Sequence, residues 1–154
     1  MARAGFTAIS SGTIKFGKDG RWYCDGEVIP NRAIAQLYSR TLRMLPDGRA
    51  RLELGEDKAD VLIEDTPWVV TAVEGDPHAG FTVVLNDGTR EPLDPTTLHT
   101  SSENVLYCRA KAGHDTRFLR PAYYTLMRHL ETGARGEPVL RVGDRRIVIP
   151  RDGS

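Results

Sequence analysis

The sequence predicts an α+β fold of two similar units, each a mainly antiparallel β-sheet wrapped around one α-helix. Two stretches carry that expectation. Residues 30–68, PNRAIAQLYSRTLRMLPDGRARLELGEDKADVLIEDTPW, run from a helical apolar period into alternating and then β-branched segments. Residues 126–150, LMRHLETGARGEPVLRVGDRRIVIP, repeat the same order: amphipathic helix, Gly-containing break, a strand ending before Gly, an apolar strand. A unit of that size buries its own sheet poorly, so two halves packed as one body are expected. The boundaries read as a tail over 1–11, an N-terminal unit over 12–77, a C-terminal unit over 78–150 and a tail over 151–154.

Taken in order, Thr13-Ile14-Lys15-Phe16 and Arg21-Trp22-Tyr23-Cys24 read as strands around the turn Gly17-Lys18-Asp19-Gly20. Glu27-Val28-Ile29 then leads to the first helix. Its stripe is Ile34, Leu37, Tyr38, Thr41, Leu42 and Leu45, with Ser39 and three arginines outside it. Asn31 suits the N-cap, and Pro46-Asp47-Gly48 stops the helix. Residues 49–54 and 61–63 form a hairpin around Gly55-Glu56-Asp57-Lys58, and residues 68–73 form a nearly all-apolar strand. Turn formers at residues 75–80 mark the boundary between halves. Residues 81–85 and 89–93 follow as strands, the second kept to an edge by Pro92. Residues 94–102 read as polar loop and 104–111 as a strand. Gly113 to Thr116 turns into a second helix with the stripe Leu119, Tyr123, Leu126, Met127 and Leu130, ended by Gly133 and Gly136. A hairpin over 138–149 closes the chain.

Composition excludes several classes. Twenty-one basic residues balance 21 acidic ones, so net charge gives no general pull toward nucleic acid or anionic membrane. No stretch is apolar enough to span a bilayer, and residues 1–12 lack the apolar run of a signal peptide, which favours the cytoplasm. The two cysteines, Cys24 and Cys108, make no CxxC pair and too few bridges for a disulfide framework.

Ile14, Asp19-Gly20, Trp22, Gly26 and Ile29, then Leu37-Tyr38-Ser39 to Leu42-Arg43, then Val61 and Ile63-Glu64-Asp65-Thr66-Pro67-Trp68, form a motif series running through the first half. With Phe118-Leu119-Arg120-Pro121-Ala122-Tyr123-Tyr124 in the second half, the chain resembles the domain of unknown function 1285 family of small bacterial proteins. Pro121, and Gly55-Glu56-Asp57-Lys58 in the first hairpin, depart from the family pattern. The resemblance implies a two-part α+β fold with one helix per part, and it implies no reaction.

The candidate chemistry is thin. His78, His99, His114 and His129 show no zinc-helix spacing, so no metal or cofactor is expected. Glu64-Asp65 is the nearest thing to a carboxylate pair, but Asp65-Thr66-Pro67 reads first as a turn, with the Asp side chain bonding local N–H groups. No serine sits in a nucleophile elbow, and no glycine run opens a helix after a strand. Trp22, Trp68, Tyr23 and Tyr38 read as core before ligand wall.

The mild signal is basic: from Arg109 to Arg146 there are nine Lys or Arg against four acids. Arg117 and Arg120 flank the second helix's start, where the N-terminus also favours an anion. Arg109, Arg117, Arg120, Arg128 and His129 are therefore the expected ligand-binding set. Two readings follow. One is a non-catalytic, regulatory binding module for a small anion or a protein partner, as monomer or homodimer. The other is a hydrolase-like enzyme using Glu64, Asp65 or His129.

Overall fold

The computed structural model describes residues 12–152. The tail expected over 1–11 and the last two residues of the chain lie outside the described residues. The described residues divide into two compact units, the first ending at Trp68 and the second beginning at Val69.

The first unit runs β1 (Ile14–Phe16), β2 (Trp22–Cys24), β3 (Glu27–Val28), α1 (Arg32–Thr41), β4 (Leu42–Met44), β5 (Ala50–Leu54) and β6 (Asp57–Ile63). Its sheet has the order β3-β2-β1-β6-β5-β4. Neighbours within each group of three pair antiparallel, and the groups join where β1 lies parallel to β6, with Ile14 opposite Val61 and Phe16 opposite Ile63. The sheet is thus two three-stranded meanders zipped along their inner strands.

Asn31 caps α1, its Oδ1 accepting from the Ile34 N–H at 3.1 Å. The helix ends at Thr41, whose hydroxyl donates back to the Leu37 and Tyr38 carbonyls. Leu42, read from spacing as helical, is instead buried in β4 opposite Leu52. An apolar residue next to a helix end fits both periods, and pairing with β5 decides between them. Ser39 also reverses its expectation, being 2% exposed. Its hydroxyl accepts from the Trp22 indole N–H at 2.9 Å, and its carbonyl accepts from the Trp68 indole N–H at 3.2 Å. Trp22 in turn packs on Phe16 at 4.9 Å and edge-on against Tyr38 at 5.5 Å. The tryptophans and Tyr38 are core, as their strand and helix positions predict. Burial pushes the Tyr38 phenol up to about 12.

The second unit takes up β7 (Trp68–Asp76) from its second residue, Trp68 still belonging to the first unit, and continues with β8 (Gly80–Leu85), β9 (Arg90–Pro92), a 3-10 turn (Pro95–Thr97), β10 (His99–Thr100), β11 (Leu106–Ala110), β12 (His114–Phe118), α2 (Arg120–Met127), β13 (Leu130–Thr132), β14 (Pro138–Val142) and β15 (Arg145–Val148). Its larger sheet has the order β10-β11-β12-β7-β8-β9. Read from the far edge this is third, second, first, sixth, fifth, fourth, the order of the first unit's sheet. Pro92 sits on the edge strand β9, where its missing N–H costs no ladder bond. The segment 114–118, expected as an approach to the helix, is strand β12, with Thr116 opposite Cys108 and Phe118 buried.

The unit's second sheet, of three strands in the order β13-β14-β15, follows α2. It repeats the segment after α1 bond for bond. Leu42 pairs with Leu52, and Leu130 with Leu140. Leu45 N–H bonds the Arg49 carbonyl and Gly48 N–H the Leu45 carbonyl; Gly133, Glu137 and Gly136 make the same two bonds. Gly133 and Gly136, expected to end the helix, belong to this loop, while Arg128 caps α2. Ala122 and Leu126 of α2 pack into one core with Val70, Phe118, Leu140 and Ile149.

Removing the Ser39 hydroxyl strands the Trp22 indole N–H in the core, which costs about 1–3 kcal/mol. Ser39→Ala is therefore expected to lower the urea midpoint followed by tryptophan fluorescence, since both tryptophans, Trp22 and Trp68, lie in the first unit. An unchanged midpoint would show that the bond carries no net stability.

A basic concavity at the start of the second helix

The second unit carries a concavity of about 300 Å³ where β12 passes into α2. Leu106 and Phe118, both buried, underlie it. Arg117, Arg120, Tyr123 and Tyr124 line it together with Glu103, Asn104 and Val105 of the β10–β11 loop. Arg117 is the last residue but one of β12 and Arg120 opens α2, and both residues line the one hollow. Among the described residues no carboxylate pairs with Arg120, which is exposed. Tyr123 and Tyr124 meet edge to face at 5.4 Å, and Tyr124 is 56% exposed.

The helix start adds to the positive character. Leu119 occupies the N-cap, and no side chain caps α2. The first turn's N–H groups, one of them already removed by Pro121, therefore point out of the helix without an internal acceptor. A short helix dipole and two arginines thus lie at the same concavity.

The remaining expected site residues lie elsewhere in the unit. Arg109 faces Asp115 across the β11–β12 pair at 3.6 Å. Arg128 is exposed at the C-cap of α2. His129 packs against the Phe81 ring at 5.2 Å. Of the five, the concavity brings together Arg117 and Arg120. The Glu103 and Asn104 contribution was missed from sequence; the only signal there is the turn composition of Ser101-Ser102-Glu103-Asn104. Asn104 takes φ +66° in that turn.

The carboxylates proposed for catalysis are in the first unit. Glu64 is exposed, and its Oε1 accepts the Lys18 N–H at 2.9 Å. Thr66, two residues on, is buried and donates to the Trp68 carbonyl at 2.6 Å, so this bond is the threonine's and not the one expected of the Asp65 side chain. A wider concavity of about 540 Å³ along β1 and β6 carries Lys58, Asp60 and Leu62 with no convergence of like charge. Among the described residues no group of three His, Cys, Asp or Glu side chains could hold a metal. No helix of the described residues is long and apolar enough to cross a membrane.

Two buried titratable groups are structural. Asp87 is 3% exposed and pairs with the Lys111 ammonium. Burial raises its carboxyl, but the hydrogen bonds from Lys111 and from both the N–H and the hydroxyl of Thr89 outweigh it and hold the group below the ordinary carboxylate range. Lys111, at φ +53°, also has its N–H against Glu91, so the pair pins the β11–β12 turn to the β8–β9 turn. Cys108 is wholly buried, and desolvation, with Glu91 and Asp115 adding to it, pushes its thiol up to about 12. Burial, with Asp25 adding to it, also raises Cys24. Neither thiol is an activated nucleophile.

Two solved structures share this fold. One is a DUF1285 family protein from Silicibacter pomeroyi DSS-3, 20% identical over 88% of this chain and 78% of that one, with a TM-score of 0.67. The other is a DUF1285 family protein from Shewanella baltica OS155, 22% identical over 75% of this chain and 91% of that one, with a TM-score of 0.58. The chain has the fold of DUF1285 proteins. The family that the motif series resembles is the one to which these two solved proteins belong. At this identity the DUF1285 likeness speaks for the fold and names no reaction. No protein-family model matches the chain, and no curated protein matches it.

Lys111→Met leaves Asp87 buried without its ammonium and is expected to cost about 3 kcal/mol, near the low end for a broken buried pair because Lys111 keeps some access to water. A depressed folded pKa stabilises above the unfolded value of about 3.9 and loses that contribution as pH falls through the folded value. The gap between wild type and variant should thus be full at neutral pH and close in strong acid, as measured by urea titration across pH. A gap independent of pH would show that the pair does not carry it. With a thiol reagent near neutral pH, Cys24 should label slowly and Cys108 only after denaturation, read by mass spectrometry.

Proposed function

We propose that the protein is a non-catalytic binding module that holds a small anion, phosphate- or carboxylate-bearing, between Arg117 and Arg120 at the start of α2, with a regulatory role. The observation that supports this is the pairing of those two guanidinium groups with an uncapped helix N-terminus on one concavity. Guanidinium groups bind such anions through paired N–H donors, and the Tyr124 ring offers a face for whatever the anion is attached to. The enzyme reading finds less support, since Glu64 is engaged by Lys18 and His129 lies against Phe81.

The affinity expected is modest. Two charge-assisted hydrogen bonds of about 1.5–3 kcal/mol each place a bare anion near the millimolar range, where binding is worth about 4 kcal/mol. Titration must therefore reach tens of millimolar at matched ionic strength, since exposed charges are screened.

Thermal unfolding of the full chain in inorganic phosphate, against chloride at equal ionic strength, tests the reading. At ten times its Kd the ligand should add about 1.4 kcal/mol to stability. The double variant Arg117→Ala/Arg120→Ala should lose the shift and Arg128→Ala should keep it. A shift that survives the double variant, or none across phosphates and dicarboxylates, sinks the anion site and leaves a protein partner as the reading to pursue.

A further inference from the structure

The last described residues, 149–152, bind back onto the loop that walls the concavity. Ile149 is buried in the second unit's core. Beyond it the chain lies alongside β10: Thr100 N–H donates to the Pro150 carbonyl at 2.9 Å, and Asp152 N–H donates to the Thr100 carbonyl at 2.7 Å. Thr100 and Arg151 form a parallel bridge. His99 Nδ1 meets the Asp152 carboxylate at 2.7 Å.

From this strip the Arg151 guanidinium reaches the β10–β11 loop with two arms. Nη1 donates to Asn104 Oδ1 at 2.9 Å, and Nη2 donates to the Ser102 carbonyl at 2.6 Å. The loop has its own framework around Ser101, whose N–H bonds the Val105 carbonyl and whose hydroxyl accepts from the Glu103 and Val105 N–H groups. That framework closes the base of the loop. Arg151 holds its side and fixes the Asn104 side chain, and Glu103, Asn104 and Val105 line the concavity together with the arginines.

We infer that Arg151 is a positioning residue: the terminal strip is a strap that fixes the β10–β11 loop, and through it the wall of the anion site. The inference rests on the reading of the concavity as a ligand site. Arg151 touches no ligand itself. It acts by removing loop freedom before binding, so that a ligand meets a formed wall and loses less in ordering it. Because linkage is reciprocal, a ligand in the concavity tightens the loop and the strap in the same measure.

Amide hydrogen exchange on the full chain, with and without inorganic phosphate, tests it in wild type, Arg151→Ala and Arg151→Lys. The backbone ties of Thr100 remain in both variants, so the strip stays seated and the fold stays intact. Exchange at Ser101, Asn104 and Val105 should quicken about tenfold in Arg151→Ala, a change in local opening of about 1.4 kcal/mol. Arg151→Lys should recover only part of this, because one ammonium cannot reproduce the two-armed fork. Phosphate should slow loop exchange in wild type, and Arg151→Ala should weaken phosphate severalfold with Arg117 and Arg120 intact. Unchanged loop exchange in Arg151→Ala overturns the strap, as does quickened exchange with unaltered phosphate affinity. If wild type binds no phosphate, the anion reading is what fails, and the exchange comparison still decides the strap.

Discussion

Ser39 is the point on which the first unit is assembled. One residue of a ten-residue helix accepts hydrogen bonds from two indoles, one carried by the second strand and one by the chain's exit from the last. Indoles are the largest apolar groups available, yet each carries a donor that must be satisfied when buried. A serine solves this at minimal volume: its hydroxyl takes one indole and its backbone carbonyl the other. Any larger side chain would displace Trp22, and any apolar one would leave a donor stranded. Among the described residues no buried side-chain nitrogen or oxygen lacks a partner, so the clamp belongs to a core with its polar groups fully paired.

Around such cores the chain uses one building block repeatedly, a three-stranded antiparallel meander. Two meanders zip into the first sheet, two into the second, and a fifth packs with α2. The helices enter at different places in this scheme. In the first unit α1 links the two meanders of one sheet; in the second a 3-10 turn takes that position, and α2 leads to the extra meander instead. The equivalence between the segments after α1 and α2 is therefore a likeness of helix-plus-meander, laid over a separate likeness of sheet topology.

That overlap explains what the sequence showed and what it hid. Local patterns were legible: the Asn31 cap, the edge role of Pro92, the buried aromatics, the α+β class. Leu42 and Leu130 misled because each follows a helix in its own register and only cross-strand pairing places it in a strand. Residues 114–118 hid a strand because their outward positions are polar and their inward ones are Thr116 and Phe118, too short an alternation to read. In the concavity, Arg117 and Arg120 were legible because three residues of chain hold them together. The engagement of Arg109 by Asp115, the wall from Asn104 and the reach of Arg151 depend on register and distant pairing, which no local pattern encodes.

The parallel zipper of the first sheet sets an order of events for the newborn chain. Each meander closes on neighbours a few residues away, whereas Ile14 has to find Val61 across the whole of α1 and the second meander. Contacts of that separation form late, because chain entropy is lost before they return anything. The inner edge of β1 thus waits, unpaired, until residue 63 has left the ribosome. During that interval the first three strands present an open apolar edge with Phe16 and Trp22 beside it, and that is when this chain is most exposed to pairing with another copy of itself.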